Sequence, residues 1–155
     1  MTTPAATPVA SDLTMNALQD SLVELIDLAL QAKQYHWNVV GPHFRAVHLQ
    51  LDEITDAVRL WYDDVAERMT ALNGSPDGRT STVAASTPLP EAGAGWQRDA
   101  ATVEAMADRL STVASSLRGR AASIGDTDLV SQGILIEIGA GLEKQAWMLR
   151  AQLSM

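Results

Sequence analysis

Two histidines, two aspartates and a glutamate between residues 36 and 67 have the types and spacings of a metal-ligand set: His36, His48, Asp52, Asp63 and Glu67. His48 and Asp52 are one helical turn apart, as are Asp63 and Glu67. At about 100° per residue these four fall within an arc of ~100° on one helix face. They share a face but not a place, because at about 1.5 Å rise per residue Asp52 and Asp63 are roughly 16 Å apart, far beyond the ~2 to 2.5 Å reach of ligands around one ion. One straight helix therefore carries two half-sites. A second copy of that helix, antiparallel across a twofold axis near Ala57 and Val58, brings His48 and Asp52 of one chain to Asp63 and Glu67 of the other. A dimer with two equivalent composite sites is expected.

Imidazole and carboxylate without thiolate suit Fe, Mn or Zn, and the chain has no cysteine. The carboxylate excess favours iron: it stabilises Fe(III) as well as Fe(II), so oxidation of Fe(II) and hydrolysis to an oxide mineral is coherent chemistry. Hydrolysis by a metal-activated water is the other use of such ligands, and nothing in the sequence marks a substrate pocket for it. His36 belongs to the preceding helix, on an apolar face near the level where His48 begins the next, and is expected to reach the same cleft across the turn. Trp37 adjoins it, placed equally well for packing or for donating electrons to reactive oxygen intermediates. His43, beside Pro42 and off the ligand arc, reads as structural. Any one of the carboxylates, interleaved with Arg59 and Arg68, would read as a solvated helix face; the conjunction of five residues points to a metal.

The elements that must position these groups are helical. A chain of 155 residues with 46% apolar content supports one domain with a core, and few aromatic or β-branched alternating runs favour helix. From about Asp12, the apolar positions Leu18, Leu22, Leu25, Ala29, Ala32 and His36 mark one helix face, ending near Val40. Gly41 is expected at the C′ position, with Pro42 in the first turn of the next helix. That helix runs to about Asn73, with Phe44, Val47, Leu51, Ile54, Val58, Trp61, Val65, Met69 and Leu72 as its buried stripe and the ligand candidates flanking it, where a partner subunit would dock. Residues 73–95 are dense in Gly, Pro, Ser and Thr and too long for a simple turn. They predict a crossing connection with a short helix over TVAAS, capped by Thr80 or Ser81, which lets the next helix run parallel to its predecessor. A third long helix from about Trp96, buried through Val103, Met106, Leu110, Val113 and Leu117, and a fourth from about Thr127 to Leu153 complete one four-helix bundle over residues 12–155. Residues 1–11 (MTTPAATPVAS) read as a flexible tail.

The net charge of -8 and the absence of any basic residue before Lys33 disfavour nucleic-acid backbones and fit cations better. No apolar stretch approaches a membrane span of ~20 residues, and the first fifteen residues lack the features of a signal peptide, so a soluble cytoplasmic protein is expected.

Residues 33–53 (KQYHWNVVGPHFRAVHLQLDE), residues 63–68 (DDVAER) and the C-terminal LEKQAW at 142–147 closely resemble the Dps family of ferritin-like mini-ferritins. The resemblance implies an all-α, ferritin-like four-helix bundle assembled as a hollow dodecameric shell. It also implies ferroxidase centres at dimer interfaces, with His36, His48 and Asp52 from one subunit and Asp63 and Glu67 from its mate. Such proteins oxidise Fe(II), preferably with hydrogen peroxide, and store the ferric product, which suppresses hydroxyl radical formation; Trp37 matches the family's tryptophan beside the centre. No Glu-x-x-His is present, so the di-iron site inside the bundle of larger ferritins is not expected. DNA-binding members use Lys- or Arg-bearing termini, whereas here the termini are neutral and only Arg118 and Arg120 offer cations. A DNA-binding, nucleoid-associated shell with secondary metal chemistry is the alternative reading. The threefold pores through which iron enters such shells would use Asp126 and Asp128, with Gly133 where many relatives have a further Asp.

Overall fold

The computed structural model describes residues 10–153. The expected tail lies outside them except for Ala10 and Ser11, and Ser11 is the N-cap of the first helix, its hydroxyl accepting the Thr14 N–H at 3.2 Å. Four long helices and one short one follow: α1 (Asp12–Asn38), α2 (Phe44–Ala71), α3 (Thr80–Ser86), α4 (Asp99–Ile124) and α5 (Leu129–Arg150). No helix among the described residues is long and apolar enough to cross a membrane.

The pairing of side chains along the helices gives their directions. Glu24 and Gln31 of α1 bond Arg120 and Arg109 of α4, so α1 and α4 run antiparallel. Arg68 of α2 bonds Ser131 of α5 while Gln50 bonds Gln145, so α2 and α5 are antiparallel as well. A five-residue turn reverses the chain between α1 and α2, which leaves α2 and α4 parallel and accounts for the long crossing connection. The core fills the space between the two hairpins with Leu18, Leu25 and Leu28 of α1, Leu51 and Ile54 of α2, Met106, Leu110 and Leu117 of α4, and Leu135, Ile138 and Leu142 of α5, all essentially inaccessible to water.

Several boundaries differ from the sequence expectation, each for a local reason. α1 stops at Asn38 because Val39–Val40 forms a short strand, β1, pairing in parallel with Gln97–Arg98, β2; the same pairing delays α4 from Trp96 to Asp99. Gly41 accordingly falls one residue beyond C′, and Pro42 precedes the N-cap of α2, His43. α2 closes in a Schellman turn: Asn73 takes φ 63°, its N–H bonds the Thr70 carbonyl at 3.0 Å, and the Gly74 N–H bonds that of Met69 at 2.9 Å. α3 is capped neither by Thr80 nor by Ser81; Asp77 organises its start by accepting from the Arg79 N–H and the Thr82 hydroxyl. Phe44, expected in the buried stripe, is 43% exposed, because it opens α2 beyond the end of the core and leans on the His48 ring instead.

The crossing connection is pinned along its length. Gln19 of α1 both donates to and accepts from the Asp77 backbone, Thr87 bonds Asp27, and the buried Arg109 donates to the carbonyls of Pro90 and Glu91 while facing the Tyr35 ring.

Candidate metal centre

The turn between α1 and α2 places His36 in the last turn of α1 and His48 in the second turn of α2, and the two rings stack with centroids 3.7 Å apart and 19° between planes. The stack is locked by a reciprocal pair of hydrogen bonds. His36 Nδ1 is 2.8 Å from the His48 carbonyl, and His48 Nδ1 is 2.8 Å from the His36 carbonyl. A carbonyl can only accept, so each Nδ1 carries a proton, and in the neutral ring it is Nε2 that keeps the lone pair. This is the arrangement by which ligating histidines are held in one tautomer and one orientation. The His36 carbonyl is also one of the last in α1 without a partner inside its helix, so the His48 ring satisfies the helix end as it orients itself. His36 is buried and His48 half-buried.

Asp52 lies one turn further along α2, with its Oδ1 3.6 Å from His36 Nδ1. It is paired with Lys33, and the Lys33 ammonium beside Asp52 holds its carboxyl below the usual carboxylate range; partial desolvation works against this and the two nearby imidazoles add to it. Lys33 escaped the sequence reading as a member of the site, although its place one turn before His36 was the available signal.

Asp63 and Glu67, about three and four turns further down α2, are both exposed and make no hydrogen bond or ion pair among the described residues. What is fixed there is the helix beneath them. Trp61 packs against Gly141 of α5, where a Cβ would collide with the indole, and Arg68 donates to Ser131 and to both oxygens of Asp128. Among the described residues, no three His, Asp or Glu side chains converge closely enough within one chain to hold an ion. The chain stacks His36 on His48 and sets Asp52 beside His36 Nδ1, and it leaves Asp63 and Glu67 apart from them.

The remaining sequence candidates fall as follows. Trp37 follows His36 but points outward, 66% exposed, so intrachain packing does not account for it. Asp126 is exposed. Asp128, expected beside it at a pore, has its carboxylate committed inside the subunit: it caps α5 by accepting the Ser131 N–H at 3.0 Å and pairs with Arg68 at 3.1 Å. Hydrogen bonds from Ser131 and Arg68 hold its acidity up against burial. Arg118 and Arg120, the cations considered for DNA, are both paired, with Glu143 and Glu24.

Residues 15–155 match the family described as a ferritin-like domain. Over 152 residues the chain is 34% identical to DNA protection during starvation protein 2 of Deinococcus radiodurans; the match covers 98% of this chain and 63% of that one, so the chain spans less than two thirds of this relative's length. It is 37% identical over 148 residues to the DNA protection during starvation protein of Mycolicibacterium smegmatis, covering 93% of this chain and 78% of the relative. The fold superposes on the structure of Dps from Microbacterium arborescens in its high iron form with a TM-score of 0.88 and 30% identity, covering 96% of this chain and 99% of that one.

Proposed function

Because the chain belongs to the Dps family of ferritin-like proteins, we propose that it oxidises Fe(II), with hydrogen peroxide as the preferred oxidant, and stores the ferric product in a twelve-subunit shell. The unit of assembly is one bundle domain over residues 12–155, and the chemistry takes place at composite centres on a twofold interface. His36, His48 and Asp52 come from one subunit and Asp63 and Glu67 from the other.

The observation that carries this reading is the reciprocal histidine lock. It leaves two Nε2 atoms on offer where, among the described residues, no third side chain of the same chain completes a site. Two imidazoles and hard carboxylates suit an ion that is to be bound as Fe(II) and released as Fe(III). Iron is here the substrate. Its arrival must displace the Lys33 ammonium from Asp52, while Asp63 and Glu67 of the partner subunit supply the remaining negative charge. A relative crystallised in a high iron form supports the choice of metal. The protective role named for the relatives then follows chemically, since removing Fe(II) and peroxide together removes the source of hydroxyl radicals. The protein works in the cytoplasm on this reading.

The test is to add substoichiometric hydrogen peroxide to metal-free assembled protein loaded anaerobically with Fe(II), following ferric absorbance with a hydroxyl-radical trap present. Fast oxidation without trapped radical is expected. Oxidation no faster than in protein-free buffer would remove ferroxidase function from the chain.

The names of the relatives favour one further reading, a shell that protects DNA by binding it. Against it stand a net charge of -8 and the pairing of Arg118 and Arg120, since phosphate binding needs several free cations acting together. Plasmid mixed with the intact oligomer at physiological salt should run unretarded in a gel; retardation would establish the DNA-binding reading.

A further inference from the structure

Among the buried charged groups outside the ligand set, Arg109 anchors the crossing connection and Glu24 pairs with Arg120. Asp99 leads back to it. This residue opens α4 and is 7% exposed. One carboxylate oxygen accepts the His43 N–H at 2.7 Å and the other accepts the Ala100 N–H at 2.9 Å, and no lysine or arginine pairs with it among the described residues. The carboxyl group also backs directly onto Gly41, where a Cβ would lie 2.5 Å from it and where φ is +140°. Together with the two rungs joining Val39–Val40 to Gln97–Arg98, this contact holds the whole turn between α1 and α2 from the start of α4.

We propose that Asp99 is a positioning residue for the metal centre: by gripping the His43 N–H and backing Gly41, it fixes the turn that lets His36 and His48 donate to each other's carbonyls. The proposal rests on the reading of these two histidines as ligands. A reciprocal lock needs the end of α1 and the start of α2 in one register, and within the turn a single backbone bond, from the Phe44 N–H to the Gly41 carbonyl at 3.1 Å, supports it. Gly41 stands at positive φ, and Pro42 has no N–H to offer. A slip of about 1 Å at the turn would break one 2.8 Å bond, free that imidazole's tautomer and swing its Nε2 off the metal.

Asp99→Asn and Asp99→Ala separate positioning from stability. Asparagine loses the negative charge at the α4 N-terminus and the second acceptor, yet its amide oxygen can still take the His43 N–H; alanine loses everything. Both variants should melt below the parent. Co(II), titrated into the assembled metal-free proteins and read by its visible spectrum, should bind Asp99→Asn close to parent strength and Asp99→Ala weaker by about tenfold or more, with an altered band shape. Leu110→Ala, a core change elsewhere in α4, serves as a destabilised control and should keep the parent spectrum. Parent-like Co(II) binding by Asp99→Ala, or an equal loss in Leu110→Ala, would overturn the proposal. Crystal structures of metal-free parent and Asp99→Ala give a readout that needs no metal: the variant should lose at least one Nδ1–carbonyl bond and the ring stack, and retention of both bonds would equally sink the idea. Should the parent take up no Co(II), the ligand reading fails by itself, and the crystal comparison still decides what Asp99 holds.

Discussion

The two ends of α2 carry ligand candidates of the same chemistry in opposite states of preparation. At the N-terminal end, two imidazoles are stacked and bonded to each other's carbonyls, and Asp52 is paired with Lys33. At the other end, Asp63 and Glu67 stand exposed and unpartnered on a helix that Trp61 and Arg68 fasten from beneath. The difference teaches where a composite site spends its order. Imidazoles must present one nitrogen in one direction, so the chain locks them itself. Carboxylates can meet a cation from several directions with either oxygen, so fixing the helix beneath them is enough, and leaving them solvated in the lone chain avoids burying unpaired charge.

The largest predicted effect tests whether the two ends truly belong to one site across two chains. His36→Ala and Asp63→Ala should each assemble and each lose rapid Fe(II) oxidation, as should the double variant. Coexpressed in equal amounts, the two single variants should recover about a quarter of parent activity, because half of randomly formed dimers are mixed and one of the two sites in each mixed dimer has both ends intact. No recovery in mixed assemblies verified by mass spectrometry would mean that the two ends act within one chain or not together.

A smaller effect is expected where the bare end is fastened. Gly141→Ala forces the Trp61 ring away from α5, and overpacking of this kind costs about 1 to 3 kcal/mol, offset in part by up to about 1 kcal/mol from replacing a helical glycine. The melting temperature should fall and oxidation should slow only modestly, since the carboxylates tolerate displacement. A loss of oxidation as complete as in Asp63→Ala would contradict the view that the bare end is undemanding.

How much of this was legible in the residues follows the same division. The helical periods of α1 and α2, their order and the spacing of the five candidates are local properties, and a four-helix bundle with a short crossing helix could be read from the pattern, its ferritin-like character from the family resemblance. The strand pair that shortens α1 and α4 could not, because Val39–Val40 and Gln97–Arg98 are distant in sequence and too short to show a period. Asp99 reads locally as an ordinary helix start, and its grip on His43 is tertiary. Nor do the sequence neighbours of Asp128 reveal that Arg68 reaches it from another helix.

Lys33 offers a finer test of the prepared end. With Lys33→Met the ammonium no longer competes for Asp52, and since a solvent-screened ion pair of this kind is weak, Co(II) affinity near neutral pH should rise only a few-fold. The acid limb should move the other way. Lys33 lowers the Asp52 carboxyl below its ordinary value of 3.8, so in the parent the anion, and any stability it lends, is kept above that value and lost only as pH falls through the lowered one. In Lys33→Met the loss should begin at higher pH. Identical titrations of the Asp52 carboxyl in the two metal-free proteins, followed by NMR, would show that the pairing does not govern Asp52.

The smallest effect concerns delivery rather than chemistry, and so separates both ends of α2 from the route that feeds them. With Asp128 occupied by Arg68 and the α5 N-terminus, Asp126 is the carboxylate left exposed near the start of α5, and Gly133 contributes no charge. A Cβ at Gly133 would meet nothing within 4 Å, so Gly133→Asp can be made without a clash. Replacing a helical glycine, and adding an acid near a helix N-terminus that has none in its first turn, should leave stability unchanged or raise it slightly. If iron enters beside α5, the added ring of carboxylates should raise the initial rate of Fe(II) uptake about two- to threefold at low salt, with the gain fading as salt screens it. Oxidation of iron already bound should not change, because the variant touches neither end of α2. Uptake equal to the parent at every ionic strength would instead mean that iron reaches His36 and His48 by a path that does not pass α5.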